Sequence, residues 1–179
     1  FGEATDMNVH ACTLRLADKN NRQDGSSRLL VLGDIAMHQV EEYNRNVDFL
    51  IGHYAISKPR LAEEIRRARA GDASWLFLLQ NDHTKTLTPK LVQRRLAERW
   101  RPPLNWPRHF LRSWFVGQAF GRGVVRAFMG HADTGAPPLS RYDGTSVFEL
   151  RSLATAVNQF IDSLNIPMVT AWNTPTYRR

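Results

Sequence analysis

The sequence predicts a mainly α-helical domain with a small antiparallel β-sheet, an α+β class. Two short β-friendly runs flank a polar stretch near the start of the chain. Most of the remaining chain carries apolar residues at helical spacing. Prolines and glycines fall where such helices would begin and end.

In order, Ala11–Ala17 (Ala-Cys-Thr-Leu-Arg-Leu-Ala) and Arg28–Leu32 (Arg-Leu-Leu-Val-Leu) read as two strands. Asp18–Ser27, rich in turn formers, makes them a β-hairpin with a long tip. Asp34 is placed to cap a helix over about 35–54, with Ile35, Val40, Tyr43, Val47, Leu50 and Ile51 on one side. Pro59 opens a charged helix over 60–70 that Gly71 closes. Ser74–Leu79 is a short apolar run, strand or extended. Thr88 then caps a helix that has Pro89 at its first position and reaches about Trp100. Arg101–Pro107, with three prolines, reads as an extended connector. Helices are expected over about 108–120 and 124–130, separated by Gly121–Gly123, then a loop over 132–138. Ser146–Leu164 forms an amphipathic helix through Val147, Leu150, Leu153, Val157, Phe160, Ile161 and Leu164. No repeat, low-complexity tract or linker interrupts the order, so residues 1–179 read as a single domain of ordinary size.

Composition narrows the partners. The net charge is +7, and twenty of the twenty-four cations are arginine; the lysines are Lys19, Lys58, Lys85 and Lys90. An excess of arginine suits bidentate contact with phosphate, and a basic domain favours a polyanionic partner. Cys12 is the single cysteine, which excludes an intrachain disulfide and fits a reducing, cytoplasmic setting. No apolar run approaches the length of a membrane span, so no membrane partner is expected. Metal chemistry is not expected either: there is no His-x-x-x-His, no cysteine cluster and no dense carboxylate set. No cofactor motif is present.

The chemistry-bearing residues lie late in the chain. His109-Phe110-Leu111-Arg112 sets an imidazole and a guanidinium at i and i+3, on one face of a helix. Met129-Gly130-His131 adds a second imidazole, and Tyr142 comes eleven residues later. An arginine fork grips two phosphate oxygens and stays charged at any working pH, a neutral histidine beside it can move a proton, and a phenol can attack phosphorus. Each motif alone is common by chance; their order is more specific. Tyr43, Tyr54 and Tyr177 lack a phosphate-binding motif at a comparable distance, and His10, His38, His53 and His83 lack the context of His109 and His131.

This order resembles the catalytic domain of the tyrosine recombinase (phage integrase) family, whose signature reads His-x-x-Arg, Leu-Gly-His, Tyr. The resemblance extends over nearly the whole chain and includes the hairpin, where Lys19 matches the family's groove-entering lysine. It implies the DNA breaking-rejoining catalytic-domain fold and metal-independent cleavage and rejoining of DNA through a 3′-phosphotyrosine. Tyr142 would be the nucleophile and Arg112 the clamp on the non-bridging oxygens. His109 and His131 would hydrogen-bond the same phosphate, and Lys19 would protonate the leaving 5′ oxygen. Duplex DNA would be the partner, with self-association into a tetrameric synapse on it. The family's first arginine sits on a helix just before the hairpin. Glu3-Ala4-Thr5-Asp6 resembles the stretch after that helix, which implies a fragment beginning just downstream of that arginine and inactive without it. Two departures accompany the match: Ser113 comes after Arg112 where many members have histidine, and the loop from His131 to Tyr142 is about two residues longer and carries Pro137-Pro138. A non-catalytic DNA-binding relative and a type IB-like topoisomerase share the same residues and remain alternative readings.

Overall fold

The computed structural model describes residues 3–8, 12–17, 27–96, 103, 105–129 and 146–171. It is mainly helical with two small antiparallel sheets, the α+β class expected. The chain divides into two compact units: the first comprises residues 1–37 and 105–167, the second 38–104 and 168–179.

In the first unit, β1 (Glu3–Asn8), β2 (Thr13–Ala17) and β3 (Ser27–Val31) form an antiparallel sheet in that order. The expected hairpin is β2–β3, registered from Thr13 opposite Val31 to Ala17 opposite Ser27. β1 is an addition to the elements expected from sequence. Its segment, Glu-Ala-Thr-Asp-Met-Asn, has no apolar alternation, and its register shifts between Ala4 and Asp6. Backbone pairing to β2, not side-chain pattern, makes it a strand. Three helices accompany the sheet: α4 (Trp106–Gly117), α5 (Arg122–Met129) and α6 (Val147–Ser163). Ser146 caps α6 in a reciprocal capping box with Glu149. Along α6, Leu150, Leu153 and Ala154 are buried, whereas Val147 and Leu164 at its ends are exposed. Phe115 and Leu153, both fully buried, join Val125 and Met129 in one core cluster, and Val31, Leu150 and Ala154 form a second. Phe128 packs against both, so α5, α6 and the sheet share it.

Two helix boundaries in this unit differ from the expectation. The connector expected over 101–107 gives way earlier, since Trp106 and Pro107 are the first residues of α4. Proline fits the first turn because its missing N–H has no helical partner there. The second helix starts at Arg122, and Gly123 lies inside it rather than in a break.

The second unit holds the body of α1 (Asp34–Tyr54), then α2 (Pro59–Ala70), β4 (Phe77–Gln80), β5 (His83–Thr86) and α3 (Pro89–Leu96). Asp34 is the first helical residue of α1 rather than its cap; the first intrahelical bond runs from Met37 N to Gly33 O. Gly71 ends α2 with φ 90°, a left-handed conformation that costs a residue with Cβ more than glycine. The helix from Pro89 starts as expected, with Leu91 N donating to Thr88 Oγ1 (3.2 Å). Its expected continuation over 97–100 lies outside the described residues. The run read as 74–79 becomes β4, shifted toward Gln80, and it pairs with β5, a strand not expected from sequence. Asn81 and Asp82, both at positive φ, turn the hairpin. Val47, Leu50, Leu61 and Ile65 make the core of this unit.

Polar ties complete it. Glu64 on α2 accepts hydrogen bonds from Thr84 N (2.8 Å) and Thr84 Oγ1 (3.1 Å) and lies 2.9 Å from His83 Nδ1. These contacts, the Thr84 backbone bond foremost, lower its pKa to about 2. Residues 168–171 run extended along α1. The Gln39 amide donates to Val169 O (2.9 Å) and accepts from Val169 N (3.2 Å). Three positions on, the buried Glu42 carboxylate accepts from Ala171 N (2.7 Å).

Candidate active site

Helix α4 separates its two faces cleanly. Phe115 is fully buried, and Leu111 and Trp114 pack around it. Phe110 stacks on Trp106 (centroids 5.4 Å) and meets Phe160 of α6 (5.5 Å), which Trp114 also meets (5.0 Å). On the opposite face, His109, Arg112 and Val116 stand at i, i+3 and i+7, all exposed. The helical spacing read from the sequence therefore places His109 and Arg112 together, one turn apart, on a solvent-facing stripe. The aromatic face fixes the rotation of α4 and hence the direction of that stripe.

Two neighbours of the motif, not anticipated from sequence, organise it. Asn105, immediately before α4, brings Nδ2 to 3.1 Å from His109 Nε2. An amide NH2 can only donate, so this contact is a hydrogen bond for the neutral ring with its proton on Nδ1. Arg108 extends Nη2 to the carbonyl of Met129, the last residue of α5 (2.5 Å). That bond satisfies a helix-terminal carbonyl with a cation and fixes where the chain leaves α5 for the Gly130-His131 step. The sequence carried one signal for Asn105, its i, i+4 spacing to His109. It carried none for Arg108, whose partner lies 21 residues away.

Arg112 makes no ion pair among the described residues, and no acidic residue lies on α4. A guanidinium one turn from an imidazole, with no acid on the same helix, is an arrangement that attracts an anion. Lys19, His131 and Tyr142, the other three residues of the expected site, lie outside the described residues. Of the tyrosines that are described, Tyr43 has its hydroxyl committed to Trp75 O (2.6 Å), and burial pushes its pKa up, against nucleophilic use. Among the described residues there is no group of histidine, cysteine or carboxylate side chains able to hold a metal ion. None of their helices is long and apolar enough to cross a membrane.

No protein-family model, curated protein or solved structure matches the chain.

Proposed function

We propose that the chain is the catalytic domain of a DNA recombinase that cleaves and rejoins strands through a 3′-phosphotyrosine, on the DNA breaking-rejoining fold. The observation that carries the reading is the α4 stripe. His109 and Arg112 are exposed side by side, free of acidic neighbours on their helix, and Arg108 of the same helix holds the end of α5 that leads to His131. In this reading Arg112 binds the non-bridging oxygens of the scissile phosphate and neutralises charge that builds in the pentavalent transition state. His109 and His131 hydrogen-bond the same phosphate, and His109 takes the phenol proton on Nε2 once Asn105 Nδ2 releases that nitrogen. Tyr142 Oη attacks phosphorus, forming the phosphotyrosine bond as the P–O5′ bond breaks. Lys19 gives its proton to the leaving 5′ oxygen. The phosphodiester energy is kept in the covalent link, so no ATP is consumed. Duplex DNA in a multimeric synapse is the substrate.

The test is covalent capture. The full-length protein, incubated with a nicked suicide duplex, should form an adduct that maps to Tyr142. Tyr142→Phe should abolish it while duplex binding persists, because only one hydroxyl is removed. Arg112→Ala should abolish it as well, with thermal stability changed by less than about 0.5 kcal/mol, as expected of an exposed side chain. An adduct on another tyrosine, or one that survives Tyr142→Phe, would refute the assignment.

A further inference from the structure

The longest acid-free basic segment in the second unit precedes the His109–Arg112 stripe in the chain. Residues 83–96 contain Lys85, Lys90, Arg94 and Arg95 and no aspartate or glutamate. All four cations are exposed, and among the described residues none of them is in an ion pair. Four other cations of this unit are paired: Arg45 with Glu42, Lys58 with Asp82, Arg66 with Glu63, and Arg69 with Asp48. Those pairings matter for the patch as well. Asp82, next to the segment, is paired with Lys58, and Glu64 accepts from Thr84 and lies against His83. The four cations of β5 and α3 thus have no acidic partner among the described residues.

The shape is concave. Lys85 and Thr86 of β5, Thr88 of the connection, and Lys90, Gln93 and Arg94 of α3 line an open depression of about 490 Å³. Lys90 and Arg94, at i and i+4, share one face of α3. Among the described residues Lys85 Nζ is held by the neutral Gln80 Oε1 (3.3 Å) and by no carboxylate. Thr88 accepts from Leu91 N as helix cap, so its hydroxyl proton is still available for donation. Uncompensated cations interleaved with hydroxyl and amide donors around a shallow trough are the complement of a phosphate backbone, where cations supply affinity and neutral donors set register. A small-molecule site would be more enclosed.

We infer that the β5–α3 face is a second contact surface for the phosphate backbone of duplex DNA, separate from the cleavage residues. The inference rests on the reading of the protein as a DNA enzyme and assigns this face to backbone binding alone. It is tested by the salt dependence of duplex binding, measured with the protein carrying Lys85→Gln, Lys90→Gln and Arg94→Gln together. Each phosphate contact contributes about 0.9 to the slope of log K against log salt, so the triple variant should lose about two to three units of slope. Arg66→Gln with Arg69→Gln, which removes charge already paired, should lose less than about one unit. All positions are exposed, and an unchanged circular-dichroism melt confirms that the variants are folded. A wild-type slope in the triple variant overturns the inference, as does an equal loss in the control pair, which would make the effect one of net charge. A loss seen with duplex RNA but not with duplex DNA overturns the choice of partner. Adduct formation at Tyr142 reads the enzymatic assignment independently, so an adduct together with an unchanged triple-variant slope removes this inference alone.

Discussion

In the first unit, elements far apart in sequence meet through rings and apolar side chains: Phe115 touches Phe120 and Phe128 edge-on, and Phe160 lies against Phe110 and Trp114. In the second unit the buried side chains of the core are aliphatic, with Tyr43, Tyr54 and Phe77 packed around them, and the longest-range ties are polar, with Gln39 and Glu42 holding residues 168–171 and Glu64 holding the β4–β5 hairpin. Rings bury much area and fix interhelical rotation, which an exposed pair such as His109 and Arg112 needs if it is to aim at one phosphate. Polar ties order backbone with little buried area, and each depends on a single side chain. The difference predicts how the two units fail.

The largest effect should come from the ring core. Phe115→Ala removes a fully buried side chain and should cost about 3–5 kcal/mol, read by denaturant unfolding. A loss below about 1 kcal/mol would mean that α4 is not anchored by its aromatic face. Next comes the tail clamp. Glu42→Ala leaves the buried Ala171 N–H without its acceptor, so a loss of about 1–3 kcal/mol is expected, together with faster amide exchange at Ala171. Unchanged exchange there would show that the carboxylate does not hold the segment.

The smallest effect should be the pH dependence of the hairpin tie. The folded pKa of Glu64, about 2, lies below its ordinary 4.5, so the carboxylate stabilises the fold fully above about pH 4.5. That stability is lost as pH falls from there through about 2. With the side chain 34% exposed, solvent screening holds the contribution under about 1 kcal/mol. Glu64→Gln should flatten the acid limb of a stability–pH curve in that window and lower neutral stability by that same contribution, under about 1 kcal/mol. An acid limb identical to wild type would assign the tie no role.

Features under local physical control were legible in the residues alone. The proline at the start of α2 and of α3, Thr88 as cap, Gly71 in the left-handed stop and the apolar stripe of α6 are all signals within a few residues of what they specify. The partnership of His109 with Arg112 is of the same kind, because helical spacing alone puts them on one face. Other features exist only in the folded chain. β1 and β5 carry no apolar alternation and become strands through backbone pairing to a neighbour. Arg108 could not be read as an organiser because its acceptor is a backbone carbonyl 21 residues away, and every residue offers such a carbonyl. Gln39 and Glu42 bind backbone about 130 positions distant. Backbone acceptors and donors leave no mark in side-chain identity, so contacts made to them become visible only once the chain has folded.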